Sequence, residues 1–325
     1  MVDVLLVSLG STAGLREADE QLVASLERAG ASVALVSARP PRARRTLALT
    51  DYVWARAARA AAIDGIRAKD PRTVLYSTIT AALLWPVPGA IRFDTLAASN
   101  RPGRHGPWQR PLERRRLRQA SLLVPWSAQS LGAGRVADPR VVVVGVAVEP
   151  SGPLLPADER DIAAITYAAD PRKKGLETVL EAWRLARREG EELVVAGIAR
   201  AGAPAGVRYV GLLAQADYRA LVRRSRAYLT APRREDHGIA QLEALADGCM
   251  LVTTPAPGPY AALELARELD SRLVAEDLAP AIRAALDDPR RDYALRAASA
   301  VAAFGAKQID AVVAGELLPR LNLPA

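Results

Sequence analysis

Short apolar runs alternate with stretches of helical period along the whole chain. In the first half, near-continuous apolar runs predict strands at 2–7, 32–36, 73–76, 90–93, 122–124 and 141–144. Amphipathic stretches between them predict helices over 14–29, 52–68 and 108–120. The second half predicts strands at 162–167, 193–196, 208–210, 227–230, 250–253 and 273–274, with helices between most of them. Leu176, Val179, Leu180 and Trp183 stand at i, i+3, i+4 and i+7, one apolar face of a helix. Apolar strands alternating with helices imply parallel sheets covered on both faces. Three prolines and a glycine within 149–156 mark a linker, so the pattern predicts an α/β protein of two doubly wound domains, 1–150 and 151–325.

Length supports that division, because 325 residues exceed one ordinary core. A 50% hydrophobic, 25% charged composition is that of a globular chain. A single cysteine, Cys249, excludes a disulfide framework, and two histidines make a His-rich metal centre a poor expectation. The unbroken apolar runs are too short to cross a bilayer, and the first residues read as a buried strand without the basic region of a signal peptide. The expected location is the cytoplasm.

Charge is unevenly spread. Residues 1–150 hold 21 basic and 12 acidic side chains, whereas 151–325 hold 23 and 24. Seven arginines fall within 101–118 (Arg101, Arg104, Arg110, Arg114, Arg115, Arg116 and Arg118), against one acid, Glu113. Such a segment is either a solvated helix face or a contact for an anionic membrane surface or phosphorylated acceptor. Fifteen aromatic residues and the absence of a nucleic-acid motif leave nucleic acid the weakest partner.

In open α/β sheets, functional residues follow the carboxyl ends of strands. The first such loop, 8–14, carries Gly10 and Ser11, whose backbone can approach a phosphate or sugar. A second places Arg172, Lys173, Lys174 and Gly175 before a helix. Three cations at a helix N-terminus oppose the helix dipole, and an anionic ligand there would remove the conflict. A third runs through Glu235, Asp236, His237 and Gly238 into a helix carrying Glu243, with Asp236 expected to cap it and Gly248 to close it. Carboxylates accept strong hydrogen bonds from sugar hydroxyls, and free helix amides bind phosphate. The proline-rich 253–260 loop is expected to form a rigid wall.

The lysine–glycine loop, then Tyr209-Val210-Gly211, then Glu235-x-x-Gly238-x-x-x-x-Glu243-Ala244-Leu245-Ala246-x-Gly248, resembles the C-terminal half of retaining GT-B glycosyltransferases of family 4 over about 160–265. The resemblance implies two Rossmann-like domains facing across a cleft: an acceptor domain over 1–150 and a nucleotide-sugar domain over 151–325. A last helix, about 306–325, is expected to cross back to the first domain. Carried onto the matching positions, Glu235 contacts the donor sugar, Glu243 holds the ribose, and Lys174 neutralises the diphosphate. The amides of His237, Gly238 and Ile239 line the donor, and Asp94 stands where many relatives place a histidine facing the donor sugar. Ala169 replaces an arginine that relatives set beside the diphosphate, with Arg172 or Lys173 as the available substitutes. His237 replaces an aromatic residue.

The implied activity is metal-independent, retaining transfer from a nucleotide diphosphate sugar, UDP-sugar before GDP-sugar, to a glycan, lipid-linked or small-molecule acceptor. No cofactor is required, since the nucleotide sugar is a co-substrate. The alternatives are a non-catalytic nucleotide-sugar binder with a degenerate site, motivated by Ala169, and a basic nucleic-acid-binding protein.

Overall fold

The computed structural model describes residues 1–42, 44–101, 103–132 and 138–321, without the side chain of Arg104. The chain divides into two compact units, Met1–Ala147 joined by the stretch from Ala306 onward, and Val148–Gly305.

The first unit is built on a five-stranded sheet of β1 (Val2–Ser8), β2 (Val33–Ser37), β3 (Pro71–Tyr76), β4 (Ala90–Phe93) and β5 (Leu123–Pro125), in the order β2-β1-β3-β4-β5. All pairings are parallel, with Val4 beside Val33 on one side and Thr73 on the other. Val4 to Val7 are fully buried, as the two-sided covering of a central parallel strand requires. Strand order reverses between β1 and β3, so the crevice beyond their carboxyl ends is where such a sheet binds ligands. The stretch after Ala306 packs on this unit through Val313 and Leu317 and through Asp310, which accepts from Ser25 and Arg28. Residues 322–325 of the expected closing helix lie outside the described residues.

The second unit carries β6 (Ile162–Tyr167), β7 (Leu193–Ala196), β8 (Val207–Gly211), β9 (Ser225–Thr230) and β10 (Met250–Thr253), again parallel, in the order β10-β9-β6-β7-β8. Its order reverses between β6 and β9. Leu176, Val179 and Trp183 sink one face of the helix Leu176–Ala186 into the core.

Two expected strands do not form. The 141–144 run follows the edge of β5, with Val142 N–H on the Leu123 carbonyl and Val144 N–H on the Pro125 carbonyl, but it makes only the Leu123–Val141 bridge. Pro125 has no N–H to return to that run, so the ladder stops. At 273–274, Asp270 accepts the Arg272 N–H and closes a 3₁₀ turn over Ser271–Leu273, leaving one bridge from Val274 to Thr253. The second helix starts at Leu47, earlier than its apolar period, because the Thr46 hydroxyl caps Leu49 N–H at 3.2 Å.

A helical run over Tyr293–Arg320, whose apolar residues are interspersed and not unbroken, is long and apolar enough to cross a membrane by length and composition alone. It breaks at Gly305, and its buried residues belong to cores: Val301 in the second unit, Val313 and Leu317 in the first.

Candidate functional site

The switch point of the second unit joins the loops after β6 and β9. Tight backbone contacts hold them together. Arg233 N–H donates to the Lys173 carbonyl at 3.1 Å, and Glu235 N–H to the Pro257 carbonyl at 3.1 Å. Gly175, at φ +64°, lies so close to β9 that a Cβ there would stand 1.8 Å from the Ala231 carbonyl oxygen. The three loops marked in the sequence, after β6, β9 and β10, therefore form one surface.

Lys174 and Glu235 meet on it. Lys174 Nζ donates to Glu235 Oε2 at 2.5 Å, and Gln241 Nε2 donates to the same oxygen at 3.2 Å. Glu235 is 6% exposed. Burial pushes its carboxyl pKa up, but the adjacent Lys174, the charge of Lys173 and the Gln241 hydrogen bond outweigh burial and hold it below the ordinary value. Arg172 and Lys173 are exposed, and Lys173 N–H donates to the Asp170 carboxylate. Ala169 is exposed on the same loop.

The helix Ile239–Ala246 does not begin as expected. Asp236 is held by Arg234 at 2.7 Å and does not cap it. Gly238 is the N-cap instead, at φ +86°, where a Cβ would press to 2.7 Å on the Tyr260 ring. Tyr260 is anchored by its hydroxyl to Thr253 Oγ1 at 3.1 Å. His237 is buried, its ring edge-on to Phe304 at 6.4 Å between centroids. Ile239 is half-buried at the first helical position.

Glu243 is buried further along this helix. Its Oε1 accepts from Gln215 Nε2 at 2.8 Å and from Arg219 at 3.2 Å. Arg219 also donates to Asp247 at 2.8 Å and to the Glu149 carbonyl at 2.9 Å. Asp247 in turn accepts Ser151 N–H at 2.7 Å. Sequence reasoning missed Gln215, Arg219, Gln241 and Asp247. A signal existed: Gln215 and Arg219 are one helical turn apart, as are Glu243 and Asp247, so the two pairs can face one another.

Gly10, Ser11 and Asp94 lie in the first unit. Gly10 takes φ +56°, with its N–H on Ser8 Oγ at 3.0 Å and its carbonyl on Arg16 at 2.9 Å. Ser8 donates to Asp19 at 2.5 Å, and Asp19 faces Arg92 at 3.5 Å. Burial raises the Asp19 pKa and lowers that of Arg92 to about 10, which still leaves the guanidinium charged at neutral pH. This buried chain fixes the Gly10 turn from β4. Ser11 and Asp94 line one cavity of about 270 Å³. Among the described residues no group of three or more His, Cys, Asp or Glu side chains is placed to hold a metal ion.

In the basic segment, several arginines turn inward. Arg101 pairs with Asp51 at 2.7 Å, Arg110 donates to the Gly103 carbonyl at 2.7 Å, and Arg116 donates to the Leu83 carbonyl and lies 4.9 Å over the Trp85 ring. Arg114, Arg115 and Arg118 are exposed.

Residues 154–301 match the profile of the family Glycosyl transferases group 1. No curated protein matches the sequence. Among solved structures, WaaG, a glycosyltransferase involved in lipopolysaccharide biosynthesis, is similar at 13% identity and a TM-score of 0.69, over 97% of this chain and all of its own (100%). A sucrose-phosphate synthase from Thermosynechococcus elongatus is similar at 16% identity and a TM-score of 0.72, over 99% of each chain. HepE of Anabaena, solved in complex with UDP and glucose, is similar at 14% identity and a TM-score of 0.66, over 98% of this chain and 99% of its own. With its two parallel sheets in two Rossmann-like units, the chain has the GT-B fold.

Proposed function

We propose that the protein is a retaining glycosyltransferase of the family 4 type. It moves a sugar from a nucleotide diphosphate sugar, UDP-sugar before GDP-sugar, to a glycan, lipid-linked or small-molecule acceptor. The observation that carries this reading is the Lys174–Glu235 pair at the β6–β9 switch point, inside the region that matches the transferase family. The match to HepE, whose structure holds UDP and glucose, supports a nucleotide-sugar donor.

On this reading the second unit holds the donor. Lys174 turns from Glu235 to the diphosphate and opposes the charge that grows as the bond from the anomeric carbon to the diphosphate oxygen breaks. Glu235, released, accepts from hydroxyls of the transferred sugar. Glu243 takes the ribose hydroxyls. The amides around His237, Gly238 and Ile239, with Arg172 and Lys173, complete the donor site. From the first unit, Asp94 serves as a catalytic residue in the place where relatives set a histidine facing the donor sugar, and the backbone of Gly10 and Ser11 serves in substrate binding. The acceptor oxygen bonds to the anomeric carbon on the face the diphosphate leaves, and its proton passes to the departing phosphate oxygen. This retains configuration and needs no metal or enzymic nucleophile. On the same reading the protein works in the cytoplasm, and exposed Arg114, Arg115 and Arg118 support a peripheral contact with the anionic inner face of the membrane.

Ala169 favours a second reading, a nucleotide-sugar binder without turnover, because it removes a cation beside the diphosphate. One experiment separates the two. The protein is incubated with a panel of UDP- and GDP-sugars, with and without acceptors, while nucleoside diphosphate release and the anomeric configuration of product are followed by NMR. Release with a retained product is expected. Binding without release would leave the binder, and neither binding nor release would remove both readings.

A further inference from the structure

Gln241 stands in the first turn of the helix Ile239–Ala246, three residues after the Gly238 N-cap. A glutamine at that position ordinarily reaches back with its carbonyl oxygen to the N–H of the N-cap residue. Gln241 does not. Its Nε2 donates to Glu235 Oε2 at 3.2 Å, and its Oε1 is buried with no hydrogen-bond partner among the described residues. An ionised carboxylate only accepts, so Glu235 fixes the amide with its nitrogen inward. The other polar neighbour of Gln241 is the Tyr260 hydroxyl, itself bonded to Thr253 Oγ1 at 3.1 Å.

The amide is a costly choice for packing. Gln241 is 1% exposed, and Leu242, Ala244 and Leu245 beside it are fully buried. An apolar side chain of similar length would fill the place without leaving a carbonyl oxygen unmade. What the amide supplies, and an apolar residue could not, is a donor to Glu235.

Glu235 Oε2 thus has two donors of different kinds. Lys174 is a cation on a flexible stem, and on the transferase reading it turns away to the diphosphate. Gln241 is neutral, held by a helix and enclosed, so it has no pull toward a phosphate. It stays when Lys174 leaves. The main chain stays as well, because Glu235 N–H is held on the Pro257 carbonyl at 3.1 Å.

We propose that Gln241 is a positioning residue for Glu235, holding its carboxylate in one orientation toward the donor sugar after Lys174 has moved to the diphosphate. It acts through Glu235 and touches no reacting atom. The inference rests on the transferase reading and deepens it.

The test compares wild type with Gln241→Met, which fills the space without a donor, and with Gln241→Asn, whose amide ends one methylene short of Glu235. Thermal unfolding, UDP titration, and kcat and KM for the donor across pH are measured on the full chain. Gln241→Met should melt no lower than wild type and bind UDP as well, yet lose about tenfold or more in kcat, the worth of one hydrogen bond to a charged group. Its acid limb should move to higher pH, since Glu235 without that donor is protonated more readily as pH falls. Gln241→Asn should show the same pattern, and it decides the matter if the methionine variant does not fold.

The charged and titratable groups around Glu235 are Lys173 and Lys174 after β6, Tyr228 on β9, Arg234, Asp236 and His237 in its own loop, and Tyr260 after β10. Burial pushes both phenols well above their ordinary range. Every variant shares all of these groups, so a difference between profiles reports Glu235.

Unchanged kcat and an unmoved acid limb, with wild type active, overturn this inference and leave the transferase reading standing. A fall in melting temperature, UDP affinity and rate together, with the limb unmoved, gives Gln241 a structural role only and also overturns it. Wild type that turns over no donor sinks the transferase reading, and the inference falls with it.

Discussion

Lys174 and Glu235 are far apart in the chain yet joined by a 2.5 Å ion pair, because β6 and β9 are neighbours and each residue sits in the loop that follows its strand. The pair holds a cation and a carboxylate where the proposed chemistry needs both, and each occupies the other until a ligand divides them. Lys174→Ala should therefore have two effects. Loss of a stabiliser of the leaving group costs roughly 2.7–4 kcal/mol, or a 10²–10³-fold lower rate. Loss of the partner of a largely buried carboxylate should also destabilise the fold, by up to about 3 kcal/mol. Adding Glu235→Gln should restore stability but not rate. Urea denaturation and donor turnover on the two variants decide, and a double mutant that regains turnover would remove Lys174 from the chemistry.

The same pair sets a pH dependence whose sign can be inverted. The Glu235 pKa is held below its ordinary value in the folded protein, so its stabilisation is present above the unfolded pKa and lost as pH falls through the lowered folded value. In Lys174→Ala, burial is left as the dominant influence and raises that pKa. The carboxyl would then add stability as it is protonated. Other carboxylates with lowered pKa values, such as Glu191 and Asp270, contribute acid lability to every variant. The comparison is thus between variants: from about pH 6 to about pH 3, Lys174→Ala should lose less stability than wild type. Equal losses would mean that the lysine does not control the carboxyl.

Most of the strands and the loops that follow them were legible from periodicity, since a strand buried on both faces needs an unbroken apolar run. The two strands that failed were decided by the N–H that Pro125 lacks and by a single hydrogen bond that the Asp270 carboxylate accepts from Arg272 N–H, which hydrophobic pattern does not encode. Glu235 and Lys174 were legible as candidates because both follow strands. Their contact was not, since it depends on strand order. The supports of Glu243 left only a faint signal for another reason: Gln215 and Arg219 lie on the preceding helix and, apart from their one-turn spacing, look like ordinary exposed polar positions.

Arg219 should act as a positioning residue. Its guanidinium pairs with the carboxylates of both Glu243 and Asp247, so Arg219→Ala would leave two buried carboxylates with reduced compensation. A loss of roughly 3–5 kcal/mol is expected. Arg219→Lys keeps the charge but not the fork, and should retain the fold while weakening nucleoside diphosphate binding. Calorimetry on the lysine variant checks this, and unchanged affinity would confine Arg219 to a structural role.

The basic segment now divides by burial. Arg116 is committed to Leu83 and Trp85, so its loss should cost stability, whereas Arg114, Arg115 and Arg118 are exposed. Changing those three to glutamine should abolish binding to vesicles rich in anionic lipid without lowering the melting temperature. Wild-type binding should weaken as salt shortens the screening length to about 8 Å at physiological strength. Failure of the wild type to bind at low salt would return the segment to a solvated helix face.

The two glutamates provide the sharpest separation. Glu235, beside Lys174, is assigned to the transferred sugar, which only the donor carries, and Glu243, beside Gln215 and Arg219, to the ribose, which donor and free nucleoside diphosphate share. A hydrogen bond to a charged group is worth about 1.5–3 kcal/mol, or roughly ten- to a hundredfold in affinity. Glu243→Gln should weaken both ligands by similar factors. Glu235→Gln should reduce donor turnover sharply. Its effect on free diphosphate should be small or even favourable, since Lys174 no longer has to leave a carboxylate to meet the phosphates. Titration with both ligands, with initial rates, measures all four quantities. Equal weakening of the free diphosphate by both variants would reverse the assignment, and no effect from either would withdraw the main support of the transferase reading.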